Sequence, residues 1–180
     1  MLQQRVQKID KWRYSLIAKF CQGKTLDVGC GLQQLAAYLN KDHFYIGSDV
    51  EGGAVNCSAY KLPFSDGSFD TVILAEILEH LEMPLVALQE AARVSSKRII
   101  VTVPNDYSLV RLARLLLGKE VEIEQEHLLS FNSFNLKMLL NRVNFNLIES
   151  FSFPLRIQIL PEIPIRSRFG YWLFCVADRS

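Results

Sequence analysis

The chain has 180 residues, 49% of them hydrophobic and 22% charged, with a formal net charge of +1 at pH 7. That is enough chain for one domain with a full core, and the near-zero charge argues against nucleic acid as a partner. No uncharged apolar run approaches the roughly 20 residues of a membrane helix, so no transmembrane segment is expected.

Taken in chain order, residues 2–20 carry Val6, Ile9, Trp12, Leu16 and Phe20 at helical spacing. Basic residues are spread through them with no apolar stretch for a secretory signal. Thr25 to Gly29 reads as a first strand ending at a glycine, and Leu32 to Leu39 as a helix. Phe44 to Asp49 is a second strand ending in an acid. Gly52 and Gly53 imply a tight connection after it, because Asp49 to Leu62 is too short to hold a full helix. Phe69 to Ala75 and Arg98 to Val103 read as buried strands, with a helix from Pro84 to Val94 between them. Tyr107 to Leu117 is an amphipathic helix that sets Arg111 and Arg114 against four leucines. Ser133 to Arg142 is a further helix. Leu147 to Phe153 and Tyr171 to Ala177 suit two closing strands, and Pro154 to Phe169, with three prolines, reads as a loop. Alternation of this kind predicts an α/β fold with a largely parallel sheet, in one domain over 1–180. The four cysteines form no Cys-x-x-Cys pair and sit in apolar runs, as reduced thiols of a cytoplasmic protein do.

Four stretches carry chemistry. Leu26-Asp27-Val28-Gly29-Cys30-Gly31 puts two glycines at a strand-to-helix turn, where a ligand can approach the backbone and a helix N-terminus offers free N–H groups. Gln33 stands where a third glycine is common, and a purely structural tight turn also fits. Asp49, about twenty residues on, suits the two hydroxyls of a ribose, or is a solvated strand-end acid. Leu62 to Asp70 is an Asp-Gly turn leading into a strand. Glu76, Glu79 and His80 are spaced i, i+3, i+4, and two carboxylates with an imidazole can hold a divalent cation or serve as caps. His127 is a candidate general base, or a cap on the helix from Ser133. Arg111 and Arg114 beside an apolar face suit an anionic or lipid-linked molecule, or a solvated helix face over the core.

In this order, the stretches Leu26–Gly31 (LDVGCG), Leu62–Asp70 (LPFSDGSFD), Glu76–His80 (EILEH) and His127–Phe131 (HLLSF) resemble class I S-adenosylmethionine-dependent methyltransferases. The closest pattern is the type 11/23-like group. The resemblance implies a Rossmann-like seven-stranded sheet in the order 3-2-1-4-5-7-6, mostly parallel with one antiparallel strand, and helices on both faces. It implies an enzyme that moves a methyl group from S-adenosylmethionine to an O or N atom of a small-molecule or lipid/glycan-linked acceptor. Asp27, Gly29, Cys30 and Gly31 would meet the methionine part of the cofactor, with Ala75 and Glu76 beside it. Asp49 would take the ribose hydroxyls. Ser58 falls where many relatives carry an acid for the adenine amino group. His127 and Glu76 would be catalytic, and Glu76, Glu79, His80 and His127 resemble a set that binds Mg2+ in some relatives. The N-terminal helix (1–22) and segments 106–130 and 154–170 would cover the acceptor side, with Tyr14, Tyr107, Arg111 and Arg114 available to line it. Gln33, Ser58 and the short connection after Asp49 depart from the pattern. They leave open an alternative: a catalytically weak or inactive binding module on the same fold. A nicotinamide-dependent oxidoreductase fits poorly, since the turn lacks the full G-x-G-x-x-G.

Overall fold

The computed structural model describes residues 8–121, 126–155 and 165–180. Seven strands build one sheet: β1 (Thr25–Val28), β2 (Tyr45–Asp49), β3 (Val55–Asn56), β4 (Phe69–Ala75), β5 (Ser95–Pro104), β6 (Phe145–Phe153) and β7 (Trp172–Arg179). Their order is β3-β2-β1-β4-β5-β7-β6, the order expected. The first five run parallel, and β7 lies antiparallel between β5 and β6. Parallel strands are buried on both faces, and β1 shows it: all four of its residues are buried.

The four α-helices are α1 (Lys8–Phe20), α2 (Pro84–Val94), α3 (Leu109–Leu116) and α4 (Ser133–Arg142). Pro84 opens α2 at a position where its missing N–H is not needed, and Asn132 caps α4 through a capping box with Asn135. α2 and α4 close one face of the sheet over Leu26, Val72, Leu74, Ile99 and Phe145. On the opposite face Ile17 of α1 joins Ile73, Ile100, Phe174 and Trp172.

Three expectations change. The segment after the glycine turn is a five-residue 3-10 helix, Gln34–Tyr38, rather than an α-helix across Leu32 to Leu39. Gln33 enters it in the left-handed region (φ 54°), so the chain kinks there instead of coiling smoothly onward. In α1, Arg13 lies at the centre of the buried face beside Ile17, flanked by Trp12, Leu16 and Phe20. Residues 2–7 of the expected first helix lie outside the described residues. β5 runs three residues earlier than expected because Ser95, Ser96 and Lys97 continue along β4 through an irregular register near Phe69.

The direction of strand succession reverses between β1 and β4, since β1 continues to β2 and β3 on one side and β4 to β5 on the other. Open α/β sheets bind ligands in the crevice beyond the carboxyl ends at such a reversal. The segments leaving β1, β2, β4 and β5 all gather there.

Candidate functional site

Gly29 (φ 74°) and Gly31 (φ 50°) make the turn leaving β1, a conformation that costs a glycine little. The N–H groups of Gly29 and Cys30 both donate to the Ser48 carbonyl, at 2.8 and 3.1 Å, which fastens the turn to β2. A side chain at Gly29 would collide with Ile77, so the turn also abuts the segment leaving β4. Above Gly31 the space is open: no heavy atom lies within 4 Å of where a Cβ would stand. The Gly31 N–H donates to Asp49 Oδ2 at 2.8 Å, and Asp49 Oδ1 accepts the Val50 N–H at 2.7 Å. Each carboxylate oxygen keeps a second lone pair for a ligand. Gln33, at the third-glycine position, donates to the Gly52 carbonyl at 3.3 Å and so ties the turn to the connection after β2.

Asp27 is buried within β1. Burial pushes its carboxyl up to about 7, against the Tyr45 hydroxyl that donates to it at 2.8 Å and the nearby Arg13. Cys30 packs against Gly47, and burial raises its thiol to about 12, far from a thiolate. Ser58 turns back on its own backbone, accepting the Tyr60 N–H at 3.2 Å.

At the exit of β4, Ala75 is half-buried and Glu76 takes a left-handed conformation (φ 54°), an unusual one for a side chain of its size. This turn directs the Glu76 carboxylate to Arg13 of α1, whose Nη1 stands 3.3 Å away. Arg13 also meets Asp10 at 3.2 Å and lies 4.4 Å over the Trp172 ring. Burial raises the Glu76 carboxyl; Arg13, then the Thr102 and Trp172 side chains, and His127 at longer range oppose it.

Leu78–His80 form a 3-10 turn in which Glu79 is 1% exposed. The Glu79 carbonyl accepts the N–H groups of Leu128 and Leu129 at 2.8 and 3.2 Å, holding residues 127–129 against this turn. The His80 and His127 rings meet edge to face at 4.7 Å. His80 Nδ1 lies 3.2 Å from the Glu126 carbonyl; in the tautomer that donates to it, Nε2 carries the free lone pair. One ligand atom each from Glu79, His80 and His127 fall within 4.8 Å of one another. The fold thus gathers three members of the expected cation set. Glu76 stands apart on Arg13, because a left-handed residue followed by a 3-10 turn does not stack i and i+3 as an α-helix does.

α3 is turned the other way from a core-facing leucine helix. Arg111 is buried on Asp106 at 2.7 Å, whereas Leu112, Leu115 and Leu116 are exposed. Arg114 donates to the Glu120 carbonyl at 2.7 Å. Tyr14 hydrogen-bonds Gln34, and Tyr107 lines a cleft of about 640 Å3 together with Asn105, Phe134, Lys137, Arg166 and Arg168.

Comparison with known proteins bears on this geometry. A family model described as a methyltransferase domain matches residues 26–98, from the glycine turn through β4 and into β5. Over that stretch the chain is similar to methyltransferase domains. An uncharacterized methyltransferase of Schizosaccharomyces pombe is 40% identical over 70 residues, which are 39% of this chain and 23% of that protein. The chain therefore matches under a quarter of the length of this curated relative. A Thermotoga maritima structure, described as an S-adenosylmethionine-dependent methyltransferase and possible histamine N-methyltransferase, superposes with a TM-score of 0.75 at 19% identity, covering 94% of this chain and 89% of that one. Magnesium protoporphyrin IX methyltransferase from Synechocystis, solved with bound SAH, gives 0.65 at 17% identity over 95% and 81%.

The residue that reading the sequence passed over is Arg13. Its signal was present: a charged residue in the middle of an apolar helical stripe, four positions before Ile17. The LPFSDGSFD stretch has a structural explanation as well. Arg93 of α2 donates to the carbonyls of Leu62 and Phe64 and to the carboxylates of Asp66 and Glu90, and so pins the whole turn.

Proposed function

We propose that this chain transfers the methyl group of S-adenosylmethionine to an oxygen or nitrogen atom of a small or lipid- or glycan-linked acceptor. The observation that carries this reading is the pairing of Gly31 with Asp49 beneath open space. A bare backbone and a carboxylate with free lone pairs stand side by side at the sheet reversal, as a ribose with an adjoining thioether requires. When bound, the cofactor supplies an electrophilic methyl on a sulfonium, so the protein's part is to hold and to desolvate. In this reading Asp49 accepts the ribose hydroxyls, and Asp27, Gly29, Cys30 and Gly31 border the methionine part with Ala75. Ser58, with a neutral oxygen in place of a carboxylate, makes a weaker adenine contact.

The acceptor reading is supported by the cleft beside Asn105 and Tyr107. Its apolar walls and three cations, Lys137, Arg166 and Arg168, suit a molecule with both an acidic group and an apolar part. In this reading α1 and the described parts of segments 106–130 and 154–170 cover the acceptor side; residues 122–125 and 156–164 of those segments lie outside the described residues. His127 serves as general base when the acceptor must lose a proton. Glu79, His80 and His127 support a divalent cation beside it. Two imidazoles and one carboxylate favour an ion that accepts nitrogen, such as Mn2+ or Zn2+, over Mg2+, which keeps oxygen ligands. Among the described residues no helix is long and apolar enough to cross a membrane.

The experiment is calorimetric titration with S-adenosylhomocysteine, repeated on Asp49→Ala. Micromolar binding that the substitution removes is expected. A wild-type protein that binds nothing would overturn the enzyme reading in favour of the binding-module one, with Gln33 and Ser58 having closed the site.

A further inference from the structure

α3 is rolled with its apolar side outward. Val110 and Arg111 are buried, and the Arg111 guanidinium is held by Asp106 at 2.7 Å and by the Ser130 hydroxyl at 3.4 Å. That ion pair fixes the roll of the helix. Leu112, Leu115 and Leu116, spaced i, i+3, i+4, then share the outer side at 47%, 60% and 78% exposure, and Leu117 follows at 65%. The outer side of a helix on a globular protein is ordinarily polar, whereas the exposed positions of α3 are all leucine. Single exposed leucines are common; a contiguous row of them marks a docking surface.

The surroundings point to the occupant. Arg114 on the helix and the exposed Lys119 just beyond it flank the leucines, with Glu120 the acid beside them among the described residues. At the other end the Leu109 N–H donates to the Phe169 carbonyl at 3.1 Å, which brings the exposed Arg168 and Phe169 to the start of the helix. Arg168 and Lys137 line the cleft beside Tyr107, and neither has an ion-pair partner among the described residues. Leucines on one side of a short helix with cations at its flanks suit the plane of a bilayer surface: the apolar side chains enter the acyl boundary and the cations meet lipid phosphates. Eight residues at about 1.5 Å each reach about 12 Å, well short of a hydrocarbon core about 30 Å thick, so α3 lies along the surface and not across it. A second copy seated on the same face would bring both sets of cations into one interface.

We infer that α3 docks the protein on a membrane surface that carries anionic lipid. Leu112, Leu115, Leu116 and Leu117 enter the acyl boundary, and Arg114 and Lys119 meet the phosphates. Docking of this kind does not depend on the cofactor reading. It brings the cleft at Tyr107 and Arg168 to the lipid, where a lipid-linked acceptor is reached without leaving the bilayer.

The test is flotation of the full chain with phosphatidylcholine vesicles, either plain or carrying about one-third phosphatidylglycerol. Binding to the anionic vesicles should be about tenfold or more stronger than to the plain ones, and added salt should weaken it. Leu115→Glu combined with Leu116→Glu should lower it by about tenfold or more, and Lys119→Glu by about fivefold. Both leucines stand in solvent, so the double variant should melt no lower than wild type. Should it fail to fold, Leu116→Ser carries the test with a smaller loss. No binding by wild type, equal binding to the two kinds of vesicle, or binding that ignores the leucine substitutions each overturns the proposal. A dimer in sedimentation velocity that the leucine substitutions dissociate, without vesicle binding, gives the face to a second copy and overturns it as well. Titration of the same wild-type protein with S-adenosylhomocysteine is read separately, so failure of the cofactor reading and failure of docking are distinguishable.

Discussion

The Asp49 carboxylate accepts the Gly31 N–H at 2.8 Å, so the acid that ends β2 is bonded to the second glycine of the turn that ends β1. This bond fixes the spacing of the two groups before any ligand arrives. Preorganisation of that kind lowers the ordering cost of binding.

The two glycines should answer differently to alanine. Gly29→Ala meets both an unfavourable φ and the Ile77 side chain, and should cost about 2–3 kcal/mol of stability. Gly31→Ala meets only the φ penalty, about 1–2 kcal/mol, because nothing stands where its methyl would go. The methyl does fill the space assigned to the cofactor, so S-adenosylhomocysteine affinity should fall by about tenfold or more. Thermal melts with calorimetry separate the two effects. Unchanged affinity in Gly31→Ala would place the cofactor elsewhere.

Asp27 should make stability depend on pH in a recognisable direction. Its folded carboxyl titrates at about 7, above its ordinary value of 3.8, so the folded state binds the proton more tightly than the unfolded one. The benefit is complete below pH 4 and is lost progressively as pH rises through 7. Asp27→Asn should remove this slope and raise stability at pH 8 relative to wild type. Tyr45→Phe removes a donor to the carboxylate and should steepen the loss. Urea denaturation between pH 5 and 8 reads both, and a flat wild-type profile would count against a buried, perturbed Asp27.

Arg93 should be the main support of the turn at residues 62–66. Arg93→Ala removes donors to two carbonyls and two carboxylates, and should cost about 2–4 kcal/mol. The Glu90 carboxylate, which also accepts the Leu62 N–H, then loses its partner. A melting temperature within a degree or two of wild type would show that the turn holds without it.

The cation reading separates by ligand. His80→Ala and His127→Ala should each weaken Mn2+ binding by about tenfold or more, with Mg2+ binding weak throughout. Methyl transfer to an acceptor hydroxyl should fall in step with lost Mn2+. Activity that ignores both substitutions and added chelator would confine these histidines to packing residues 127–129.

Much of this protein was legible in its sequence, because local patterns there had single solutions. β4, α2 and α4 fall on the residues expected, each bounded by its own punctuation: Pro84 opens α2 and Asn132 caps α4. The order of motifs likewise pointed to the sheet topology and to the likeness with methyltransferase domains over residues 26–98. The tertiary structure alone decided where charged side chains went. Periodicity assigns faces, yet it does not say which face is covered, so α3 was open to either reading until Asp106 drew Arg111 inward and left the leucines outside. Spacing put Glu76, Glu79 and His80 together on paper. The left-handed turn at Glu76 and the guanidinium of Arg13, 63 residues earlier in the chain, separated them. Buried ion pairs form between residues distant in sequence, and one residue of unusual φ redirects a side chain. Both are properties of the folded backbone, which single-sequence periodicity does not contain.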